Sequence, residues 1–366
     1  MRHVTAEGVA APGLGTRLDA AVRGLNPGYF ALVMGTGIVS IGLADHGWDV
    51  LSLILLVIDV ICYGLLVVLV IVRGIRHRDA LRADFQDPAK AFAFFTFVAA
   101  SCVLGSRLAV AGEHGVAAGL LVVGFAAWLV LGYLIPWTAL LGVDKGSVLS
   151  AANGTWFIWV VGSQAVAVLA ATLQPMFVDW RQALAMLAVV SWAIGVFLYG
   201  VVGVVIIVRL LLYGMRPLEF TPPYWVSMGA TAITVVAGAR IVDMADAPMV
   251  DATRALIAGA AVLFWALGTW LIPPLVIAGY WRHVHHRVPL RYEPALWSIV
   301  FPLGMYGVGS SFLGATDRLP WVERIGIVEG WLALGVWAVV FVAMLVNLWR
   351  NVLRAPRPTE VTTRAR

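Results

Sequence analysis

Apolar residues run along this chain in ten blocks, each near the length of about 20 residues that a helix needs to cross a bilayer. The blocks cover roughly 27–43, 50–72, 92–111, 116–141, 151–172, 183–213, 222–242, 252–281, 294–314 and 325–349, and predict ten membrane-spanning helices. Polar and charged residues collect in the short connections between them. The five odd-numbered blocks open on similar text: Asn26-Pro-Gly-Tyr-Phe, Lys90-Ala-Phe-Ala-Phe-Phe, Asn153-Gly-Thr-Trp-Phe, Thr221-Pro-Pro-Tyr-Trp and Glu293-Pro-Ala-Leu-Trp. Counted from Pro27 through Ala91, Asn153, Pro222 and Pro294, the starts lie 64, 62, 69 and 72 residues apart. A near-constant period of one helical hairpin marks a repeat architecture. Proline costs little in a first helical turn, where its missing N–H has no intrahelical partner.

Odd and even blocks also differ in chemistry. Ser and Thr number 14 in the odd blocks and 5 in the even ones. Hydroxyls suit a face turned to protein or water, and Leu/Val-rich faces suit lipid. Five hairpins arranged as a ring, odd helices inside and even helices outside, meet both conditions; a bundle without a closed ring would share the composition. The fold class expected is therefore an all-α integral membrane protein. It comprises a tail at 1–25, a ten-helix transmembrane domain at 26–350 and a tail at 351–366.

Composition agrees: 61% of residues are hydrophobic, 12% are charged, and mean hydropathy is +0.91, values that belong to a polytopic membrane protein. The net charge of +5 then speaks for topology and not for nucleic acid, because Lys and Arg gather in cytoplasmic loops. With the N-terminus inside, 19 of the 25 basic residues fall in inner segments. Arg107, Arg181, Arg240, Arg254, Arg318 and Arg324 remain toward the outer ends. Both termini are thus expected in the cytoplasm of a multi-pass protein of the cell (plasma) membrane. Residues 1–25 hold no apolar run, so no compact signal sequence is expected. Cys62 and Cys102 fall within apolar blocks and form neither a disulfide framework nor a metal motif.

The ninth block carries Pro302 in mid-span with Gly304, Gly307 and Gly309, a pattern that a helix facing only lipid would avoid. Phe301 sits directly before the proline. Two readings stand: a pore-lining helix narrowed by Phe301, or a tightly packed interior helix with Phe301 as core. The predicted lumen would be lined by Thr36, Ser40, Ser101, Ser163, Gln164, Ser227, Thr231, Ser298, Gly304 and Ser310. Such a lining has few fixed charges and binds weakly, as conduction requires. Anion preference would then come from the mouths, with Arg107 and Arg240 outside and Arg216, Arg282 and Arg291 inside; snorkelling to headgroups is the alternative for the outer pair. Asp59, an acid deep in the second block, is either a proton-coupling site or a carboxyl that is paired or protonated in the outer layer. Gln164 and Ser163 serve equally as anion donors or as interhelical hydrogen-bonding groups.

The motifs Asn26-Pro-Gly-Tyr-Phe-Ala-Leu-Val-Met-Gly-Thr-Gly37, Thr221-Pro-Pro-Tyr-Trp225 and Trp297-Ser-Ile-Val-Phe-Pro-Leu-Gly304 resemble the tellurite-resistance/dicarboxylate transporter family. That family includes bacterial tellurite-resistance channels, plant slow anion channels, fungal malate carriers and fungal sulfite exporters. The resemblance spans about residues 26–350. It implies five hairpins around a pore, a homotrimer with one pore per subunit, and Phe301 as the side chain that occludes the pore. It also implies a small anionic substrate: a C4-dicarboxylate, sulfite, tellurite or inorganic anion. Ser163-Gln-Ala-Val-Ala167 looks more like the carrier and exporter branches, which keeps a proton-coupled carrier in view.

Other classes fit less well. An intramembrane enzyme needs clustered nucleophile, base or metal ligands in the bilayer, and no His-Glu-x-x-His or Gly-x-Ser-x-Gly motif occurs. His283, His285 and His286 lie in a basic loop without acidic or thiol ligands at suitable spacing. Gly35-x-Gly37 lies inside a span, where no phosphate reaches it. No cofactor, metal or nucleic-acid partner is expected; the expected partners are a small anion and the lipid bilayer.

Overall fold

A backbone in lipid must satisfy its own hydrogen bonds, which a helix does within one segment. The computed structural model describes residues 13–141, 148–316 and 318–354, and among them ten helices are long and apolar enough to cross a membrane. These are α1 (Pro27–Asp45), α2 (Asp49–Arg76), α3 (Ala91–Val110), α4 (His114–Leu140), α5 (Gly154–Leu173), α6 (Val178–Tyr213), α7 (Pro222–Val242), α8 (Pro248–His285), α9 (Pro294–Thr316) and α10 (Pro320–Leu353). Each coincides with a predicted block, with ends moved by a few residues. Residues 1–12 and 355–366 of the predicted tails, Lys145 and Asp317 lie outside the described residues.

The repeated opening text has a structural counterpart. Every odd helix begins with a 3-10 turn, at Pro27–Phe30, Ala91–Phe94, Gly154–Trp156, Pro222–Trp225 and Pro294–Leu296. Where the repeat starts with Asn, the side chain caps the turn: Asn26 Oδ1 accepts from Gly28 N and Asn153 Oδ1 from Thr155 N, both at 2.8 Å. The capped N–H groups are among those that a helix start leaves unpaired. The turns of α5 and α7 meet so closely that a Cβ on Gly154 would fall on the backbone of Pro223 and Tyr224. Glycine is required there by the approach itself.

Burial separates the two sets of helices. Within one apolar stretch of 18 residues in each span, 72 to 83% is buried in the odd helices, against 17 to 28% in the even ones. Each odd helix packs on the even helix that follows it, giving five hairpins. The odd helices also pack on one another in a closed order, α1 on α3, α3 on α5, α5 on α7, α7 on α9 and α9 back on α1. Helix α2 shows how an outer helix reads this arrangement. Ser52, Asp59, Leu66 and Arg73, seven residues apart, form its buried stripe, while Leu53, Val57, Ile61, Leu65 and Val68 are exposed. A repeat of seven keeps one helix face turned to its neighbour, and the opposite face is apolar because lipid is its solvent.

Candidate functional site

The closed order of inner helices encloses a narrow cavity of about 30 Å³ lined by side chains from all five. That is about the room of one water molecule. Its lining falls into layers one helical turn apart. Ile38, Cys102, Ala165, Ile233 and Met305 form one layer; Ile41, Ser106, Val168, Val236 and Val308 form the next. The layer nearest the helix ends holds Val110, Thr172, Arg240 and Phe312. One turn in the other direction, at the i−4 positions that share a helix face, come Met34, Val98, Val161, Gly229 and Phe301. All five are buried, and Phe301 is 1% exposed. Only Phe301 brings an aromatic ring to this layer. Gly229 brings no side chain and lies against Pro302, whose Cγ would stand 2.8 Å from an added Cβ.

The hydroxyls expected in the lumen do not line this cavity. Four outer helices each donate a tryptophan indole N–H to the next inner helix: Trp128 Nε1 to Ser163 Oγ at 2.8 Å, Trp192 Nε1 to Thr234 O at 3.2 Å, Trp265 Nε1 to Ser310 Oγ at 3.0 Å and Trp337 Nε1 to Thr36 Oγ1 at 2.9 Å. The remaining step, α2 to α3, uses the pair Tyr63 OH and Ser101 Oγ at 2.9 Å. Gln164 Nε2 donates to Trp192 O at 3.2 Å. Thr231 Oγ1 donates to Met228 O at 2.6 Å and lies where a Cβ on Gly268 of α8 would go. Ser227 Oγ donates to Tyr224 O at 2.8 Å. Gly304 packs on Ile38 and Val39 of α1, and Ser298 is buried without reaching the cavity. Thr36, Ser40, Ser101, Ser163, Gln164, Ser227, Thr231, Ser298, Gly304 and Ser310 therefore do not line the axial cavity. An indole N–H at membrane depth needs an acceptor; inner-helix hydroxyls supply it to Trp128, Trp265 and Trp337, and a backbone carbonyl to Trp192. The lining is mainly Ile, Val and Ala instead. Trp128, Trp192, Trp265 and Trp337 recur at nearly the repeat period in even spans, the signal that would have shown this.

The predicted mouth residues separate as well. Arg107 is 6% exposed and is not among the residues that line the cavity. Its Nε donates to Ser40 Oγ at 2.8 Å and to Ser52 Oγ at 3.2 Å, and its Nη2 to Ser52 Oγ at 2.8 Å. It ties α1, α2 and α3 together. Arg240 does line the cavity, its guanidinium carbon 4.3 Å from the centroid of Phe312. At the opposite end, Arg216 is held by Glu219, Nε to Oε1 at 2.6 Å, and Arg209 Nη2 reaches the same carboxylate at 3.0 Å. Hydrogen bonds from Arg216 and Arg209 pull the Glu219 carboxyl down to about 2. Arg282 donates to Phe220 O, and Arg291 is exposed.

Asp59 is fully buried, and neither carboxyl oxygen has a hydrogen-bond partner among the described residues. A Cβ on Gly37 would stand 2.8 Å from Asp59 Oδ2 and 2.8 Å from Val103 Cγ1. The carboxyl thus occupies the space that Gly37 leaves, beside Val103, which lines the cavity. Of the alternatives to proton coupling, pairing with a hydroxyl or backbone group has no counterpart among the described residues, which leaves a protonated carboxyl.

A ten-span helical protein whose inner helices enclose a cavity along their common axis is built as a membrane transport protein. Comparison makes this specific: the profile of the voltage-dependent anion channel family matches residues 24–345, and the chain belongs to that family. It is 63% identical over 161 residues to an uncharacterized membrane protein of Mycobacterium tuberculosis, a match covering 44% of this chain and 82% of that one. An uncharacterized transporter of Methanocaldococcus jannaschii is 24% identical across 89% of this chain and 94% of its own. A sulfite efflux pump of Arthroderma benhamiae is 24% identical across 88% of this chain and 90% of its own.

Proposed function

We propose that the chain carries small anions along the axis of its five inner helices, arranged as a quasi-fivefold ring, and that Phe301 closes the path. The observation that carries this reading is the cavity lined from all five helices, with Arg240 at one end and Phe301 one turn beyond the other. A wall of Ile, Val and Ala holds an anion weakly, so it can leave as well as enter. The substrates in view are sulfite, as for the relative named a sulfite efflux pump, C4-dicarboxylates, tellurite and inorganic anions. The charge bias supports cytoplasmic termini, and family resemblance supports a homotrimer in the cell membrane.

The test is anion flux in proteoliposomes. Phe301→Ala should raise anion flux, because the vacated ring leaves room for water and ions. A Phe301 that is only core packing predicts instead a stability loss of about 3–5 kcal/mol with no rise in flux, and that result would sink the gate. Asp59 favours a second reading, a proton-coupled carrier, since an unpartnered carboxyl beside the cavity wall is a place to hold a proton. In that case Asp59→Asn abolishes uptake driven by a pH gradient; unchanged coupling removes the reading.

A further inference from the structure

At the end of the bundle where α1 and α3 begin, α2 and α4 stand apart. A groove of about 560 Å³ lies between them, floored by Phe30 of α1 and Phe97 of α3. Val70 and Ala127 wall it, and Leu81 and Phe85 of the short helix Arg78–Gln86 roof it. That roof is fixed in place: the rings of Phe85 and Phe94 stack at 3.8 Å, and Thr138 Oγ1 donates to Phe85 O at 3.1 Å. Ile71 and Val130, also in the lining, are exposed, so the groove opens outward to lipid. An apolar cavity of about 150 Å³ holds benzene; this one has room for several times as much hydrocarbon.

Charge is confined to one edge of the groove. Arg73 is the one charged side chain in the described lining, and it is neutralised, Nη2 to Asp84 Oδ2 at 2.6 Å with both side chains buried. Lys90 Nζ reaches Asp84 Oδ1 at 3.2 Å and lies 4.0 Å from Asp87, while Asp79 is taken by Arg23 at 3.1 Å. The acids of this corner are thus engaged by cations other than Arg78 and Arg82. Arg78, Leu81, Arg82 and Phe85 stand three and four residues apart and share one face of the short helix, so the two guanidiniums border the apolar roof. Both are exposed. Arg78 gives its Nε–H to Gly74 O at 3.2 Å, and Arg82 makes no hydrogen bond or ion pair among the described residues.

We propose that the groove is a binding site for an anionic phospholipid, with one acyl chain under Leu81 and Phe85 and the phosphate held by Arg78 and Arg82. Apolar slot and basic edge fit the two halves of one molecule, and basic residues on an amphipathic helix directly after a membrane span attract anionic lipid. The bound chain touches a joint of the ring. Phe30 and Phe97 pack edge to face with centroids 5.1 Å apart, and Phe97 stacks near Tyr63, whose OH pairs with Ser101. The lipid therefore braces the first two hairpins at the step that no tryptophan indole joins. The site does not depend on what crosses the axis.

The test uses the full chain, purified in detergent and titrated with phosphatidylglycerol or phosphatidylcholine carrying identical tails, with bound lipid counted by native mass spectrometry. Phosphatidylglycerol should fill one site per chain and bind more tightly than phosphatidylcholine. A basic side chain near an anionic headgroup is worth about fivefold in affinity, so Arg78→Gln with Arg82→Gln should weaken phosphatidylglycerol about 30-fold and leave phosphatidylcholine unchanged. Both positions are exposed, so this variant keeps the fold. Ala127→Phe, which fills the groove, should lower retention of both lipids. Equal affinity of the wild type for the two lipids, or undiminished affinity in the arginine variant, overturns the site. So does a thermal shift with soluble glycerol phosphate equal to that with phosphatidylglycerol, which would make the edge a site for free anions. Unchanged retention in Ala127→Phe also overturns it, and a change of oligomeric mass in that variant would then assign the groove to an interface between copies of the chain.

Discussion

Replacing Arg107 by Met separates a structural role from a role at the pore mouth. Met keeps most of the stem volume and removes the guanidinium. In the structure two N–H groups are lost: Nε–H, shared between Ser40 and Ser52, and Nη2–H to Ser52. The serines remain satisfied as donors, since Ser40 Oγ donates to Ser52 O and Ser52 Oγ to Ser40 O, each at 2.7 Å. The loss is then two interhelical hydrogen bonds, each about 0.6 kcal/mol on average and up to about 1.7 in membrane proteins, or roughly 1–3 kcal/mol together. Thermal unfolding in detergent can be followed with a thiol-reactive dye, because Cys102 is buried and Cys62 half-buried. Arg107→Met should lower the midpoint, and Ser52→Ala should cost less in that background than in the wild type, because in the wild type Ser52 also accepts from Arg107. An unchanged midpoint with weaker anion uptake at low ionic strength, where screening is least, would return Arg107 to the mouth and refute this reasoning.

Two further outcomes are expected. Glu219 is held below its ordinary value of 4.5, at about 2, by hydrogen bonds from Arg216 and Arg209; its contribution to stability is therefore fully present above about pH 4.5 and lost as pH falls through about 2. Glu219→Gln should flatten that acid limb in a pH series of unfolding midpoints; an identical limb would refute the clamp. Reporters fused after Arg350 and within residues 76–88 should read cytoplasmic, and tags near Asp45 and Asp317 external; one reversed reporter breaks the orientation.

Hydropathy by itself determined the ten spans and their order in hairpins, because the bilayer sets a length and allows only self-satisfied backbone. The repeat period was legible for the same local reason: a proline or capped asparagine at a helix start acts within its own turn, as Pro27, Asn153 and Pro222 do. The division into inner and outer helices was visible too, in hydroxyl content. What no local rule could supply was the rotation of each inner helix about its axis. These helices are apolar on nearly every side, so Ser101, Ser163 and Ser310 could face a lumen or a neighbour with equal local cost. Packing decided it, through Tyr63, Trp128 and Trp265 on the outer helices, whose polar groups pair with these serines. The same holds for charge. Arg107 and Arg240 occupy comparable positions near the ends of odd spans. Only the tertiary structure sets two serines beside the first and leaves the second over Phe312 at the head of the axial cavity.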